Sequence, residues 1–78
     1  MLLSKLKRGQ EAVVEHIPEG QFRHQLMRFG IAEGSRVTCY VKLPFGPVVL
    51  RHGGQEIAIG KSLARQMMVS PVIPAIAA

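Results

Sequence analysis

Residues capable of catalysis are scarce in this chain of 78 residues. The sequence has no aspartate, and its four serines lie in no nucleophile-elbow pattern. An enzyme needs a nucleophile with a base and an orienting group, or a pair of carboxylates, held together in a cleft. The single cysteine, Cys39, shares a predicted strand face with Val37 and Val41, so we expect a buried thiol. We therefore predict a protein that binds a partner and is not an enzyme.

Histidine, cysteine and glutamate side chains could supply ligands for a metal ion. The candidates His16, His24, His52, Cys39 and Glu56 show no spacing typical of a metal site. His52 and Glu56, on the two sides of a predicted hairpin turn, form the best candidate pair, for Fe(II) or another divalent transition metal. The alternative is that the histidines are surface or half-buried side chains that hold no metal.

The net charge indicates the chemistry of a partner. Ten Lys and Arg residues against five Glu give +5 at pH 7, which favours an acidic protein, a nucleic acid or the anionic face of a membrane. The basic residues are scattered over almost every segment, and Tyr40 is the only aromatic on a predicted outward strand face. Stacking with nucleic-acid bases needs several such rings. A small basic β-barrel that binds nucleic acid is therefore the alternative to a protein-binding module.

The cysteine count and the hydropathy pattern bear on the compartment. One cysteine cannot form an internal disulfide, which is typical of a reducing, cytoplasmic environment. The longest weakly charged stretch, residues 67–78, is interrupted by Pro71 and Pro74 and is too short to span a bilayer as a helix. We therefore expect a cytoplasmic protein that is not inserted in a membrane.

Short strands and one helix must position these side chains. Alternating apolar and polar residues, bounded by glycine and proline turns, predict the strands. Gly53 and Gly54 suit the two-residue turn of a hairpin because glycine accepts a positive φ. The predicted strands cover residues 10–17, 36–42, 47–52, 55–59 and 67–69, with about one turn of helix within residues 60–66. We predict a mostly β fold, a small curled barrel with one short inserted helix.

The inserted helix is predicted over residues 21–29. Three apolar residues recur on one face at i, i+4 and i+7, and we expect the core to take them. These residues are Phe22, Leu26 and Phe29. Gly30 then lies where a helix ends in a left-handed residue, and Ile31 can make the apolar contact that accompanies such an end.

Three segments together resemble the FeoA domain family, ferrous iron transport protein A. They are residues 6–9 before a strand, residues 26–34 after the helix and residues 44–47 before the hairpin. The resemblance covers about residues 2–70, and it implies an SH3-like β-barrel. We accordingly divide the chain into a FeoA-like domain, residues 1–70, and an apolar, proline-containing tail, residues 71–78.

The same resemblance implies an accessory or regulatory role in ferrous iron uptake. Stand-alone members of the family are small cytoplasmic proteins associated with the membrane permease FeoB, and the domain is also fused to iron-dependent repressors. We therefore expect a binding module for the cytoplasmic part of a FeoB-type permease, which would hold it at the inner face of the membrane.

Two regions are predicted to contact that partner. The first is the helix with its exit loop, and the second is the loop over residues 43–47, with Phe45 as an exposed anchor. On the helix, the predicted contact residues are Arg23, His24, Met27 and Arg28. The tail, residues 71–78, is expected either to pack on the domain or to promote a homo-oligomer.

Overall fold

Short antiparallel strands dominate the computed structural model, which describes residues 1–73. The strands are β1 (Glu11–His16), β2 (Arg36–Lys42), β3 (Val48–His52), β4 (Gln55–Ile59) and β5 (Met68–Pro71). They form one sheet in the order β4-β3-β2-β1-β5. The helices are α1 (Gln21–Arg28), between β1 and β2, and α2 (Lys61–Ala64), between β4 and β5. The predicted mostly β fold with a short inserted helix is confirmed.

Local sequence signals determine the bounds of several strands. Both β2 and β4 begin and end at the predicted residues. The β3–β4 hairpin closes through Gly53 and Gly54, whose φ angles are +56° and +80°. Two successive positive φ angles are the geometry that a tight two-residue turn requires, so the glycines there are needed for their backbone freedom.

Two irregularities in strand pairing bend the sheet. One lies between Val14 and His16 of β1, opposite β5, and the other between Cys39 and Val41 of β2, opposite β3. An extra residue on one strand of a pair bends it and increases its twist. The two bulges thus help so short a sheet to enclose a core.

The core is a single cluster of buried apolar side chains contributed by every strand and both helices. Within residues 1–73 it contains no polar or charged side chain. Its members are Leu3, Leu6, Ala12, Val14, Ile17, Leu26, Ile31, Val37, Cys39, Val48, Leu50, Ile57, Ile59, Leu63, Ala64, Met67 and Val69. The prediction that Cys39 is buried is confirmed.

The N-terminal residues pack against β5, which the sequence patterns did not predict. A turn of 3-10 helix covers Leu3–Lys5, and Leu3 is fully buried. The Met1 amino group donates to the Val69 carbonyl over 2.8 Å, and the Val69 N–H donates to the Met1 carbonyl over 2.7 Å. The first residues therefore cover the side of β5 that β1 leaves free.

The C-terminal tail begins as a continuation of β5. The Val72 N–H donates to the Glu11 carbonyl over 2.8 Å, so pairing with β1 extends beyond residue 70, where the predicted domain ends. Ile73 is exposed. The remainder of the predicted tail, residues 74–78, lies outside the described residues.

Helix α1 ends through the predicted left-handed residue. Gly30 has a φ of +81°, and its N–H donates to the Met27 carbonyl over 3.0 Å. The Ile31 N–H donates to the Leu26 carbonyl over 2.9 Å, and both of these side chains are buried. The paired hydrogen bonds and the apolar contact are those of a Schellman motif.

The apolar face of α1 is only partly buried, which corrects the prediction for two of its three residues. Leu26 is buried, but Phe22 and Phe29 keep 58% and 45% of their surface exposed. The helix has only eight residues, and Leu26, in its last turn, is the one that reaches the core. The two phenylalanines flank that contact and lie over an open groove between α1 and β4.

Replacing Gly30 by alanine tests the helix end. We expect Gly30→Ala to lower the free energy of unfolding by about 1 kcal/mol, because a side chain at positive φ is strained. The matched control is Gly60→Ala, since Gly60 has a φ of −59° and open space around it. The control should change stability by less than about 0.5 kcal/mol in urea unfolding. Equal losses in both variants would contradict this account of the turn.

Candidate functional site

Three of the predicted partner residues lie together on one face of α1. His24, Met27 and Arg28 occupy positions i, i+3 and i+4, which are neighbours on a helix surface. All three are exposed, and Met27 retains 56% of its surface. The structure therefore places a thioether and two basic side chains side by side on the outside of the domain. We refer to these three residues as the α1 face.

Arg23, the fourth residue predicted on the helix, is engaged within the chain. Its guanidinium donates two hydrogen bonds to the Glu33 carboxylate, over 2.7 and 2.6 Å, and one to the Ile17 carbonyl over 2.8 Å. Such a bidentate pair is geometrically specific. It ties α1 to the end of β1 and to the turn before β2. The Arg23 guanidinium is thus occupied in positioning the helix, and its predicted contact with a partner stays a prediction.

The pKa of Glu33, the acidic partner in this ion pair, is strongly lowered. The hydrogen bonds from Arg23, followed by one from the Ile17 N–H over 3.2 Å, lower the pKa of Glu33 to about 2. Glu33 is thus a carboxylate over the whole physiological range. An ion pair with both partners hydrogen-bonded to the backbone framework holds α1 in one orientation.

An apolar groove separates α1 from β4. Phe22, Leu26 and Phe29 line it from the helix, and Leu63 of α2 closes one end. Strand β4 contributes residues 57–59 to its lining. No charged side chain lines this α1–β4 groove. The apolar periodicity of α1 did not predict this groove. The apolar stripe that is typical of a helix packed on a core is the same stripe that lines the groove.

The second predicted contact region, the loop between β2 and β3, is prominent. Phe45 retains 91% of its surface and Leu43 retains 48%. A pocket of about 200 Å³ lies beside this loop, and its lining includes basic residues from three separate parts of the chain. They are Lys5, Lys42, Lys61 and Arg65. We call this the basic pocket. No local sequence pattern predicts it, because its cations come from segments that are far apart in the chain.

The structure does not bring the predicted metal pair together. In the β3–β4 hairpin, His52 lies opposite Gln55 and Glu56 lies opposite Arg51. Directly opposed residues share a face and adjacent residues alternate, so His52 and Glu56 point to opposite faces. The His52 ring instead lies 2.8 Å from the Arg36 carbonyl through Nδ1, while Glu56 pairs with Arg51 over 3.4 Å. Among residues 1–73, no three histidine, cysteine or acidic side chains are grouped as metal ligands would be.

Two other side chains bear on the alternatives raised by the sequence. The guanidinium of Arg51 lies over the Tyr40 ring, 3.9 Å from its centre, so the outward aromatic already has a cation on one face. Burial raises the pKa of the Cys39 thiol, which keeps it protonated.

In the part of the chain that the structure describes, neither helix is long and apolar enough to cross a membrane.

The Arg23–Glu33 pair predicts a specific dependence of stability on pH. The folded-state pKa of Glu33 is lowered to about 2, so its contribution is fully present above the ordinary value of 4.5 and is lost as the pH falls through 2. We expect the native protein to be more stable than Glu33→Gln at about pH 6 and this difference to shrink towards about pH 2. Urea midpoints measured across this range provide the test.

The matched control for this prediction is Glu15→Gln. Glu15 is exposed and makes no ion pair within residues 1–73. Its substitution should leave the stability difference nearly constant over the same pH range. A difference for Glu33→Gln that does not change with pH would show that the ion pair does not couple to folding.

Comparison with known proteins agrees with the geometry. The family model of the FeoA domain matches residues 1–71. A protein from Methanocaldococcus jannaschii, named as a candidate Fe(2+) transport protein A, is 37% identical over 68 residues, which cover 86% of this chain and 82% of that protein.

Solved structures give the same result for the fold. The crystal structure of an iron uptake regulatory protein, FeoA, has a TM-score of 0.79 and 32% identity, covering 92% of this chain and 97% of that one. FeoA from Stenotrophomonas maltophilia, solved with zinc, has a TM-score of 0.72 and 26% identity over 90% of this chain and 89% of that one. It is described as an SH3 domain protein and a candidate activating factor of ferrous iron transport. With the SH3-like fold thus confirmed, the chain belongs to the FeoA domain family, which is associated with ferrous iron transport.

Proposed function

We propose that this protein is an accessory factor of ferrous iron uptake that binds the cytoplasmic part of a FeoB-type permease through α1. The observation that carries the proposal is the α1 face, His24, Met27 and Arg28, which lies exposed on a helix whose two phenylalanines are also exposed. A cytoplasmic location, at the inner face of the membrane through the permease, belongs to this proposal.

The composition of α1 supports a protein partner. Aromatic residues, methionine and arginine are enriched in the centres of protein interfaces, where they supply contact area and directed hydrogen bonds. Phe22 and Met27 of α1 and Phe29 at its C-cap each retain about half of their surface. A helix that met only solvent would be expected to carry fewer large exposed apolar side chains.

The attachment of α1 supports the same conclusion. The Arg23–Glu33 pair fixes one side of the helix, and the turn at Gly30 fixes its end. A helix held in one orientation loses little conformational freedom when a partner binds, which favours affinity. We therefore assign Arg23 to positioning and the neighbouring exposed side chains to contact.

The relatives support a role in transport regulation rather than catalysis. One is named for Fe(2+) transport, and the S. maltophilia structure is described as a candidate transport activating factor. In the present chain the cysteine is buried with a raised pKa, and the sequence contains no aspartate. An activator that acts by binding needs exposed side chains suited to contact, and the α1 face supports such a role.

Reversing the charge of Arg28 tests this surface. We expect Arg28→Glu to weaken co-purification with a FeoB-type permease in detergent about tenfold, because a basic contact on an interface becomes repulsive. The control is Arg8→Glu, which makes the same charge change on an exposed turn away from α1. Ferrous iron uptake by cells that carry each variant should follow the binding. Equal recovery of the permease with Arg28→Glu would contradict the proposed surface.

Direct binding of Fe(II) by His52 and Glu56 stays a prediction. The S. maltophilia relative was solved with zinc, which makes the question relevant to this chain. Because the two side chains lie on opposite faces of the hairpin, we expect Glu56→Gln to leave any Fe(II) or Zn(II) effect on the His52 ring unchanged. Titration under reducing conditions, followed by histidine NMR signals, provides the test. Loss of the His52 response in Glu56→Gln would instead establish a shared ion.

A further inference from the structure

More than half of the unpaired basic residues within residues 1–73 line one pocket. Three arginines, Arg23, Arg36 and Arg51, have glutamate partners within residues 1–73. Seven basic residues and two glutamates have none there. Four of those seven cations line the basic pocket, and neither unpaired glutamate does. The excess positive charge that the sequence shows as scattered is thus largely collected at one place.

The cations of the basic pocket are held on a rigid framework. Lys42 ends β2, and Lys5 ends the 3-10 turn near the N-terminus. Lys61 begins α2 and Arg65 follows its end. The N-terminal turn and α2 are in contact, and each buries side chains in the core. The flexible side chains of the four basic residues therefore extend from backbone positions that the fold fixes.

An apolar loop tip stands beside these cations. Leu43 and Pro44 line the basic pocket, and Phe45 follows them with 91% of its surface exposed. No other aromatic side chain in the described residues is so exposed. An exposed aromatic ring can enter an apolar layer, while nearby lysines, with apolar stems and charged ends, can reach anions above it. The loop tip and the basic pocket therefore suit a surface with an apolar interior and an anionic exterior.

We propose that the basic pocket and the loop tip at Phe45 form a docking surface for an anionic phospholipid membrane. The lysines and Arg65 would contact lipid phosphates, and the Phe45 ring would enter the boundary between headgroups and acyl chains. Charge complementarity argues for the anion, since four cations line the pocket and no acidic residue does. The exposed ring argues for a bilayer over a soluble phosphate or an acidic peptide, because only the bilayer offers an apolar layer directly below a layer of phosphates.

Sedimentation with protein-free vesicles tests the proposal on the whole chain. We expect binding to phosphatidylcholine vesicles that contain phosphatidylglycerol and none to phosphatidylcholine alone. Binding should fall steeply with added salt, since the Debye length shortens from about 10 Å at 0.1 M to about 3 Å at 1 M. These vesicles hold no permease, so the result is independent of the proposed contact through α1. Absence of binding to the anionic vesicles at low salt would overturn the proposal.

Substitution within the basic pocket separates a defined surface from general charge. The double variant Lys42→Gln/Lys61→Gln should bind anionic vesicles about 25-fold more weakly, at about fivefold for each basic residue near the surface. The control Lys7→Gln/Arg8→Gln has the same net charge and changes two unpaired cations that do not line the pocket. It should lose much less binding. Equal losses in the two double variants would overturn the assignment to the pocket.

A tryptophan probe tests whether the side chain at position 45 inserts into the bilayer. The chain has no tryptophan, so Phe45→Trp and the control Phe22→Trp each carry a single indole. On addition of anionic vesicles, we expect a blue shift and quenching by brominated lipid for Phe45→Trp only. An unshifted Phe45→Trp, or a shift caused equally by glycerol phosphate or by a polyglutamate peptide without vesicles, would overturn insertion into a membrane.

Discussion

Burial of one apolar cluster is the constraint on which the other features of this protein depend. In 78 residues little interior is available, and within residues 1–73 it contains no polar or charged side chain. Inward-facing positions on each strand are therefore taken by aliphatic residues, Cys39 and alanine. Charged side chains are confined to outward strand positions, strand ends and connections. Because connections from distant parts of the chain meet at the edges of the sheet, residues far apart in sequence become neighbours there.

The insertion of α1 adds one side chain to this apolar cluster and leaves two phenylalanine rings exposed. One residue of the helix, Leu26, enters the core, and Ile31 beyond its end joins it. The bidentate pair of Arg23 with Glu33 then fixes the helix where apolar contact is limited. Phe22 and Phe29 remain over the α1–β4 groove. Retaining two such rings outside the core disfavours solubility, so their presence is more readily explained by a partner than by folding.

The features predicted correctly from the sequence are those encoded locally. Alternation gave the bounds of β2, the paired glycines gave the β3–β4 hairpin, and Gly30 gave the end of α1. Features that depend on which elements meet were wrong or unpredicted. The period of α1 identifies an apolar face but not how much of it is covered. The register of the two-residue turn places His52 opposite Gln55, and hence His52 and Glu56 on opposite faces of the hairpin. The basic pocket requires three chain segments to converge, which no local pattern reports.

Helix α2, although only four residues long, lies between the α1–β4 groove and the basic pocket. Leu63 faces the α1–β4 groove, whereas Lys61 and Ala64 line the basic pocket. The basic pocket shares no residue with this groove or with the α1 face, so a ligand in the pocket does not remove contacts from either. A permease presents its cytoplasmic part next to a bilayer, and an accessory protein that binds it must come close to lipid phosphates. Separate surfaces for protein and for lipid on one chain would let weak contacts act together, because binding at one surface raises the effective concentration of the ligand for the other.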